Sequence, residues 1–160
     1  MRADHLLIED HNEIRALLHQ LEQSRPEHFA QRSALLDTLL RVLDVHVQIE
    51  NDLFYPAVRD VSPLFAIAHA EHRQIDDQLA VVFRTDPTSE EFLTELAMLA
   101  STVEHHASEE EREMFPQSEA LGLTTLETLG QAMKQRQQHL HASPVTRTRL
   151  RVKGELLRRL

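Results

Sequence analysis

The stretch His46-Val-Gln-Ile-Glu-Asn-Asp-Leu-Phe-Tyr-Pro56 decides how this chain is interpreted, because its pattern of histidine, glutamate and proline returns 60 residues later. The second copy is His106-Ala-Ser-Glu-Glu-Glu-Arg-Glu-Met-Phe-Pro116. Each copy is preceded by an acidic residue next to a histidine, Asp10-His11 in the first half and Glu71-His72 in the second. The order of acid-His followed by His-x3-Glu therefore runs twice through the chain, which indicates one symmetric site built from two half-sites.

Six side chains occupy matched positions of this repeat and are the candidate metal ligands: His11, His46, Glu50, His72, His106 and Glu110. Residues four apart share a helix face, about 6 Å apart along the axis, so each His-x3-Glu directs two ligands to one level. All six lie on apolar stripes, where leucine or isoleucine is otherwise expected. Burying an unpaired carboxylate costs several kcal/mol, and metal cations are the natural partners for two of them.

The ligand chemistry limits which metal the chain can hold. The sequence contains no cysteine, which excludes disulfides, iron–sulfur clusters and thiol catalysis. Imidazole and carboxylate ligands suit iron, manganese or zinc. Six protein ligands are too many for one tetrahedral zinc ion. They suit two metals bridged by Glu50 and Glu110, roughly 3.5–4 Å apart as in other two-metal sites.

The hydrophobic pattern predicts an all-α fold, an up-down-up-down four-helix bundle with an internal two-fold repeat. Apolar residues recur at steps of three and four in four segments, and short breaks at 24–26, 61–63 and 85–90 make successive helices antiparallel neighbours. We expect the bundle over 1–121, an accessory fifth helix over 122–142 and a basic tail over 143–160. Pro56 and Pro116 are each expected to kink or end a helix at the same level.

Charge is distributed unevenly. Residues 142–160 carry six Lys/Arg against Glu155 alone, a net +5, which leaves −14 on the rest of a chain whose total is −9. An acidic body argues against nucleic acid as the main partner. The tail either forms a short amphipathic segment or is disordered. It can fold against the acidic body or reach an acidic partner or a membrane surface, but we expect a solvated, mobile tail that the metal site does not need. Its protein partner, if it has one, is unknown.

The N-terminal sequence lacks an apolar signal region, and no apolar run approaches the roughly 20 residues of a membrane span. We therefore expect a cytoplasmic protein with no membrane span.

Taken together, the two acid-His pairs and the two His-x3-Glu-x4-aromatic-Pro segments resemble the hemerythrin-like, or HHE cation-binding, domain over residues 3–120. The resemblance implies a four-helix bundle around a non-haem di-iron centre, bridged by carboxylates and an oxo group. It implies terminal ligation by the four histidines and bridging by Glu50 and Glu110. The late fifth histidine and aspartate of animal oxygen carriers have no clear match here. The pattern is more similar to bacterial members linked to nitric oxide, oxidative stress and iron–sulfur repair, although their N-terminal cysteine-containing domain is missing from this chain.

Rival metal families are disfavoured by their motifs. Ferritin-like bundles need Glu-x-x-His, which occurs nowhere in the chain, and His-Glu-x-x-His of metal hydrolases is also absent. Three functions remain open. The first is a di-iron protein that binds or reacts with O2, NO or H2O2 as sensor, scavenger or stress protein. The second is a non-enzymatic iron store or donor, and the third is a bundle that the metal only stabilises. Whether the protein is an enzyme is left open.

Three further residues need an assignment. His105 also satisfies the His-x3-Glu spacing, but the 60-residue offset selects His106. His69, one turn before His72, is either an outer hydrogen-bond partner or a substitute ligand. Tyr55 is interpreted as a core aromatic.

Overall fold

The computed structural model describes residues 1–160 and contains helices without strands, which confirms the all-α prediction. Six long helices follow one another: α1 (Ala3–Glu22), α2 (Phe29–Ile49), α3 (Phe65–Arg84), α4 (Glu91–Glu109), α5 (Leu123–Ala142) and α6 (Pro144–Arg159). The first four form the bundle, with α1 packed on α2 and α4, and α3 packed on α4. No helix offers the continuous apolar length that crossing a bilayer core requires.

Two apolar clusters fill the bundle, one on each side of the polar layer that holds the candidate ligands. The first cluster contains the apolar residues of Ile14–Leu21 in α1, and the second cluster contains the apolar residues of Ala3–Leu7 in the same helix. Along α1 and α3 the chain passes from the second cluster to the first, whereas along α2 and α4 it passes from the first to the second. This alternation is the up-down-up-down order that the short connections predicted.

Neither proline ends its helix, although the regular α-helix is interrupted just before each of them, at the same level in both halves. Both α2 and α4 continue through a π-helical turn, Glu50–Phe54 and Glu110–Met114, and then resume as α-helix for one turn, Tyr55–Val58 and Phe115–Ser118. In each wide turn an N–H reaches back five residues, from Tyr55 to the Glu50 carbonyl and from Phe115 to the Glu110 carbonyl. The proline, which has no N–H to donate, comes directly after that bond, so the helix tolerates it.

The π turns also change which side chains face the core. A constant helical step places Leu53 on the apolar stripe of α2, yet Leu53 is only partly buried. The extra residue in the turn brings Phe54 and Tyr55 into the core instead, at 0% and 1% exposure. Two aromatic rings therefore lie directly beneath the ligand layer.

The fifth helix belongs to the body of the protein. It packs along α1 and α2, with Leu126 and Met133 buried. Gly130 marks its closest approach to the N-terminus, because a Cβ there would overlap the carbonyl oxygen of Met1 and lie 2.9 Å from the backbone nitrogen of Ala3.

The expectation of a mobile basic tail is wrong. Ser143 accepts a hydrogen bond from the Thr146 N–H and caps α6, with Pro144 as its first residue. Leu150 lies in the first apolar cluster at 6% exposure. Three ion pairs hold α6 to the acidic body: Arg149–Asp44 at 2.6 Å, Lys153–Asp76 at 3.4 Å and Arg158–Asp37 at 2.9 Å. The charge asymmetry that suggested a free tail is instead complementary between the tail and the bundle.

Replacing Leu150 with Ala should lower the free energy of unfolding by about 2–3 kcal/mol, because it leaves a cavity in a packed core. The matched control is Leu156→Ala on the same helix, whose side chain is 55% exposed and should change stability by less than about 0.5 kcal/mol. Chemical denaturation of both variants measures the difference. Equal, small effects would indicate that α6 does not dock in solution.

Candidate metal centre

The six predicted ligands converge in the structure. They come from α1, α2, α3 and α4 and from the first residue of each π turn. They meet in the layer between the two apolar clusters, and each is 5% exposed or less. Such burial of four imidazoles and two carboxylates requires partners that the apolar surroundings do not supply.

Their inward atoms form two overlapping groups of possible ligand atoms, each with all atoms within 4.8 Å of one another. One group consists of His11, His46, Glu50 and Glu110, and the other of Glu50, His72 and His106. Two groups that share a carboxylate are the arrangement expected of two metal positions, not one.

Each carboxylate lies close to one histidine of the first group and to one histidine of the second group. The Glu50 Oε1 atom lies 3.2 Å from His46 Nε2, and its Oε2 lies 3.0 Å from His72 Nε2. The Glu110 Oε2 atom lies 3.3 Å from His11 Nε2 and 3.7 Å from His106 Nε2. Both glutamates are therefore placed to bridge.

The unsatisfied atoms of the layer fit a pair of cations. Within this layer, four buried atoms make no hydrogen bond: His11 Nε2, His46 Nε2, Glu50 Oε1 and Glu110 Oε2. A buried polar atom without a partner costs about 1–3 kcal/mol, so four together are too costly to keep without a function. All four are nitrogen or carboxylate donors that point inward, and divalent cations satisfy such donors directly.

Electrostatics support the same conclusion. Burial raises the pKa of Glu50 to about 8, and the charge of Glu110 adds to this effect. Burial also acts to raise the pKa of Glu110, but the charges of His106 and His11 outweigh it and hold that pKa below its usual range. Without a cation, therefore, one of the two carboxyl groups keeps a proton that a bound metal must displace.

The outward nitrogen of every candidate histidine faces an acceptor. The four Nδ1 contacts are His11 to Glu111 Oε1 at 2.8 Å, His46 to Asp10 Oδ2 at 3.4 Å, His72 to Asn51 Oδ1 at 3.3 Å and His106 to Glu71 Oε2 at 2.8 Å. Such outer acceptors fix the tautomer that leaves Nε2 free for a metal. The acidic residue of each acid-His pair therefore accepts a hydrogen bond from the histidine of a neighbouring helix, Asp10 from His46 and Glu71 from His106. Asn51 and Glu111, which directly follow the two core glutamates at the same offset, could have been found by extending the repeat.

His11 and His72, which occupy matched positions of the repeat, differ in pKa. Burial lowers the pKa of His72 to about 4, and the neighbouring His106 contributes in the same direction. For His11 burial also acts to lower the pKa, but the adjacent carboxylates of Glu110 and Glu111 raise it to about 9. The half-site around His11 is therefore the more negative of the two.

Tyr55 is a buried core aromatic, as the sequence indicated, but the position of its phenol among the candidate ligands was not predicted. Its phenol donates a hydrogen bond to Glu110 Oε1 at 2.7 Å and lies 3.1 Å from His72 Nε2. Burial and the charges of Glu50 and Glu110 raise the pKa of this phenol, which keeps its proton. Tyr55 is the chain's only tyrosine, and its repeat partner is Phe115. That break in the repeat was the available signal.

The remaining histidines lie outside both groups. The His69 ring packs edge-on against the Tyr55 ring, with centroids 5.0 Å apart. His105 is exposed and lies 3.2 Å from Glu71, while its neighbour His106 points into the core. The 60-residue offset therefore selected the histidine that faces the core.

Comparison with known proteins agrees with this geometry. The family profile described as Hemerythrin HHE cation binding domain matches residues 2–118. Uncharacterized proteins of Mycobacterium tuberculosis and Mycobacterium bovis are each 34% identical over 160 residues, covering 99% of this chain and 99% of theirs. A crystal structure from Mycobacterium kansasii, of a Hemerythrin HHE cation binding domain-containing protein, superimposes with a TM-score of 0.81. Its sequence is 36% identical, covering 99% of this chain and 98% of that one. The chain belongs to the hemerythrin HHE cation-binding family, and its buried His/Glu cluster is a metal-binding cluster.

Replacing either Glu50 or Glu110 with Ala should remove both metal ions. Each carboxylate contacts both half-sites, and even outer-partner changes weaken metal sites by about 10–100-fold. Metal per chain, counted by mass spectrometry, tests this. The control is Glu109→Ala, which lies outside both ligand groups and should retain metal. Loss of metal from Glu109→Ala but not from Glu110→Ala would reverse the assignment.

Tyr55→Phe should keep two metal ions per chain and change the absorption spectrum, because the phenol contacts both glutamates without belonging to the ligand groups. The control is Phe115→Tyr, which adds a phenol at the matched position of the other half. A Tyr55→Phe protein that binds fewer than two metals would make the phenol a ligand.

Proposed function

We propose that this protein binds a pair of non-haem iron ions and that the reduced pair binds or reacts with O2, NO or peroxide, as a sensor, scavenger or stress protein. The proposal depends most on one observation, that two groups of buried ligand atoms share Glu50. The proposed ligands are the six repeat residues, with terminal histidines and bridging carboxylates: His11, His46, His72, His106, Glu50 and Glu110.

The donor set favours iron over zinc. Each position has two imidazoles and a share of two carboxylates, which is the nitrogen and oxygen chemistry of non-haem iron. Zinc in a structural site prefers four ligands in a closed tetrahedron, and two carboxylates shared between two ions do not provide this geometry. Iron supplies a centre that changes between the ferrous and ferric states.

The surroundings of the site favour small neutral ligands. Four protein ligands at each position leave room for an exogenous one, because iron accepts up to six. Apolar side chains border the layer above and below, and desolvating a bulky anion there is costly. The phenol of Tyr55 points into the cluster and can donate a hydrogen bond to a bound small molecule.

Two alternatives are less consistent with the geometry. A store or donor must release its metal readily, yet all four histidines are buried and oriented by outer acceptors. A metal that only stabilises the bundle does not require a polar phenol among its ligands. Both alternatives predict that the metal pair ignores small ligands.

Protein from iron-supplemented cells should contain two irons per chain and absorb in the near-UV and visible range. Anaerobic reduced protein should then change its optical and spin-resonance spectra when mixed with NO, O2 or H2O2. The zinc-loaded protein is the matched control and should remain silent. Unchanged spectra with all three molecules would favour the storage or structural alternative instead.

A further inference from the structure

A second His-x3-Glu pair in α4 takes no part in the buried layer. His105 and Glu109 have the spacing of the ligand pair but lie one position earlier, so they are turned around the helix and face away from the core. His105 is exposed, and Glu109 is half-buried. A pair of side chains with the spacing of metal ligands is therefore left on the outside of the bundle, next to the buried cluster.

Glu71 of α3 adds a third side chain to this outer pair. One ligand atom from each of Glu71, His105 and Glu109 lies within 4.8 Å of the other two. The Glu71 side chain is only 9% exposed, and its Oε2 lies 2.8 Å from His106 Nδ1. Its Oε1 lies 3.2 Å from His105 Nε2 but makes no hydrogen bond with it. One buried carboxylate thus faces the inner cluster with one oxygen and the outer pair with the other.

The first half of the repeat shows which partner Glu71 lacks. Asp10, which matches Glu71, has its Oδ2 atom 3.4 Å from His46 Nδ1. Its Oδ1 atom accepts a hydrogen bond of 2.8 Å from the side-chain amide of Gln137 in α5. Both oxygens of Asp10 therefore have a protein partner, whereas Glu71 Oε1 has no such amide.

The helix positions around this carboxylate differ in the same way. Val45 stands in α2 where the second half has His105, and it is buried. Ile49 stands where the second half has Glu109, and it is buried too. Both belong to the second apolar cluster, to which α5 contributes. The first half is thus closed by apolar packing and an amide, and the second half has an imidazole and two carboxylates instead.

This combination of side chains favours a divalent cation. No lysine or arginine forms an ion pair with Glu71 or Glu109, so the two neighbouring carboxylates have no cationic partner other than histidine. Imidazole with carboxylate oxygens suits iron, manganese or zinc. Three protein ligands at the surface leave the remaining coordination positions to water, so the ion is held weakly and can exchange.

We propose that Glu71, His105 and Glu109 form an outer site for an exchangeable divalent cation, from which the buried cluster is loaded with metal. The six buried ligands are each 5% exposed or less, so an ion must lose its water before it reaches them. The outer ligands replace part of that water at the surface. Glu71 also contacts His106, so an ion at the outer site is one carboxylate away from the cluster. The loading role rests on the metal-binding cluster but not on its ions being iron.

Equilibrium dialysis against zinc tests the outer site. Wild-type protein should bind one zinc ion per chain beyond those that remain in the buried cluster after gel filtration. His105→Ala and Glu109→Gln should each weaken binding of this extra ion about tenfold or more, because each removes one of only three ligands. The number of tightly held ions should stay the same, since neither residue belongs to the two buried ligand groups.

Two controls separate a built site from general attraction of cations. His19→Ala removes an imidazole that is 71% exposed, compared with 69% for His105, and that has one carboxylate, Glu22, 4.0 Å away. Glu113→Gln removes the same charge as Glu109→Gln from an exposed side chain outside the ligand group. Both controls should keep the extra zinc. Wild-type protein without the extra zinc, or equal weakening in Glu113→Gln and Glu109→Gln, would overturn the outer site.

The loading role is tested by isotope exchange in the fully loaded protein. Zinc-loaded protein is mixed with a heavy zinc isotope, and mass spectrometry follows its entry into the tightly held ions. Below saturation, exchange through the outer site is proportional to the occupancy of that site, so His105→Ala should slow it about tenfold or more. His19→Ala should exchange at the wild-type rate. Equal rates in His105→Ala and wild-type protein would overturn the loading role.

Loss of tightly held zinc from His105→Ala would make His105 part of the buried cluster and would overturn the proposal in another way. Failure of the di-iron function proposed above has a different signature. Both experiments use zinc, so an iron pair that ignores O2, NO and peroxide leaves their expected results unchanged. A buried cluster that holds no metal would overturn the proposed function and the loading role, whereas the zinc titration would still decide the outer site.

Discussion

Two carboxylates in one dry layer of a helix bundle are the constraint on which the rest of this structure depends. Glu50 and Glu110 are completely buried and lie in direct reach of the same histidines. Burial raises the pKa of Glu50, and repulsion from the like charge of Glu110 in this low dielectric raises it further. Bound metal cations would remove the repulsion and would satisfy the inward imidazoles at the same time. Packing alone would favour leucine at both positions.

The backbone is adapted to this layer as well as the side chains. Each core glutamate is the first residue of a π turn, so the extra residue falls directly after the ligand. In a regular α-helix only the residue four positions after the glutamate would lie one turn below it. The extra residue of the π turn brings both Phe54 and Tyr55 into the core at that level. The turn thus moves aromatic rings beneath the histidines and a phenol into the cluster. Wide turns of this kind are rare and concentrate at functional sites, because other contacts must compensate for the regular helical hydrogen bonds that they disturb.

The sequence predicted those parts of the molecule that follow from periodicity. A duplicated motif on apolar stripes fixes which faces meet, so the four helices and the meeting of the six ligands could be predicted from the residues alone. The π turns could not be predicted, because an inserted residue does not alter the composition and leaves the spacing from histidine to proline identical in both halves. The contacts of the Tyr55 phenol could not be predicted for the same reason, because its orientation depends on that turn. Folding of the tail against the acidic body was ranked below a mobile tail, because a charge count per segment does not show that Arg149 and Asp44 pair across 105 residues of sequence.

Duplication explains why the site is symmetric, and the departures from duplication indicate what it does. If the metal only stabilised the bundle, selection would have no reason to distinguish the two halves, and differences would scatter over both. Instead the neutral Asn51, the phenol of Tyr55 and a small cavity lined by His72 all lie on one side. The opposite half has Glu111, the apolar Phe115 and an arginine-braced surface. The two halves of the buried layer therefore differ in charge and in hydrogen bonding, although the six repeat residues match.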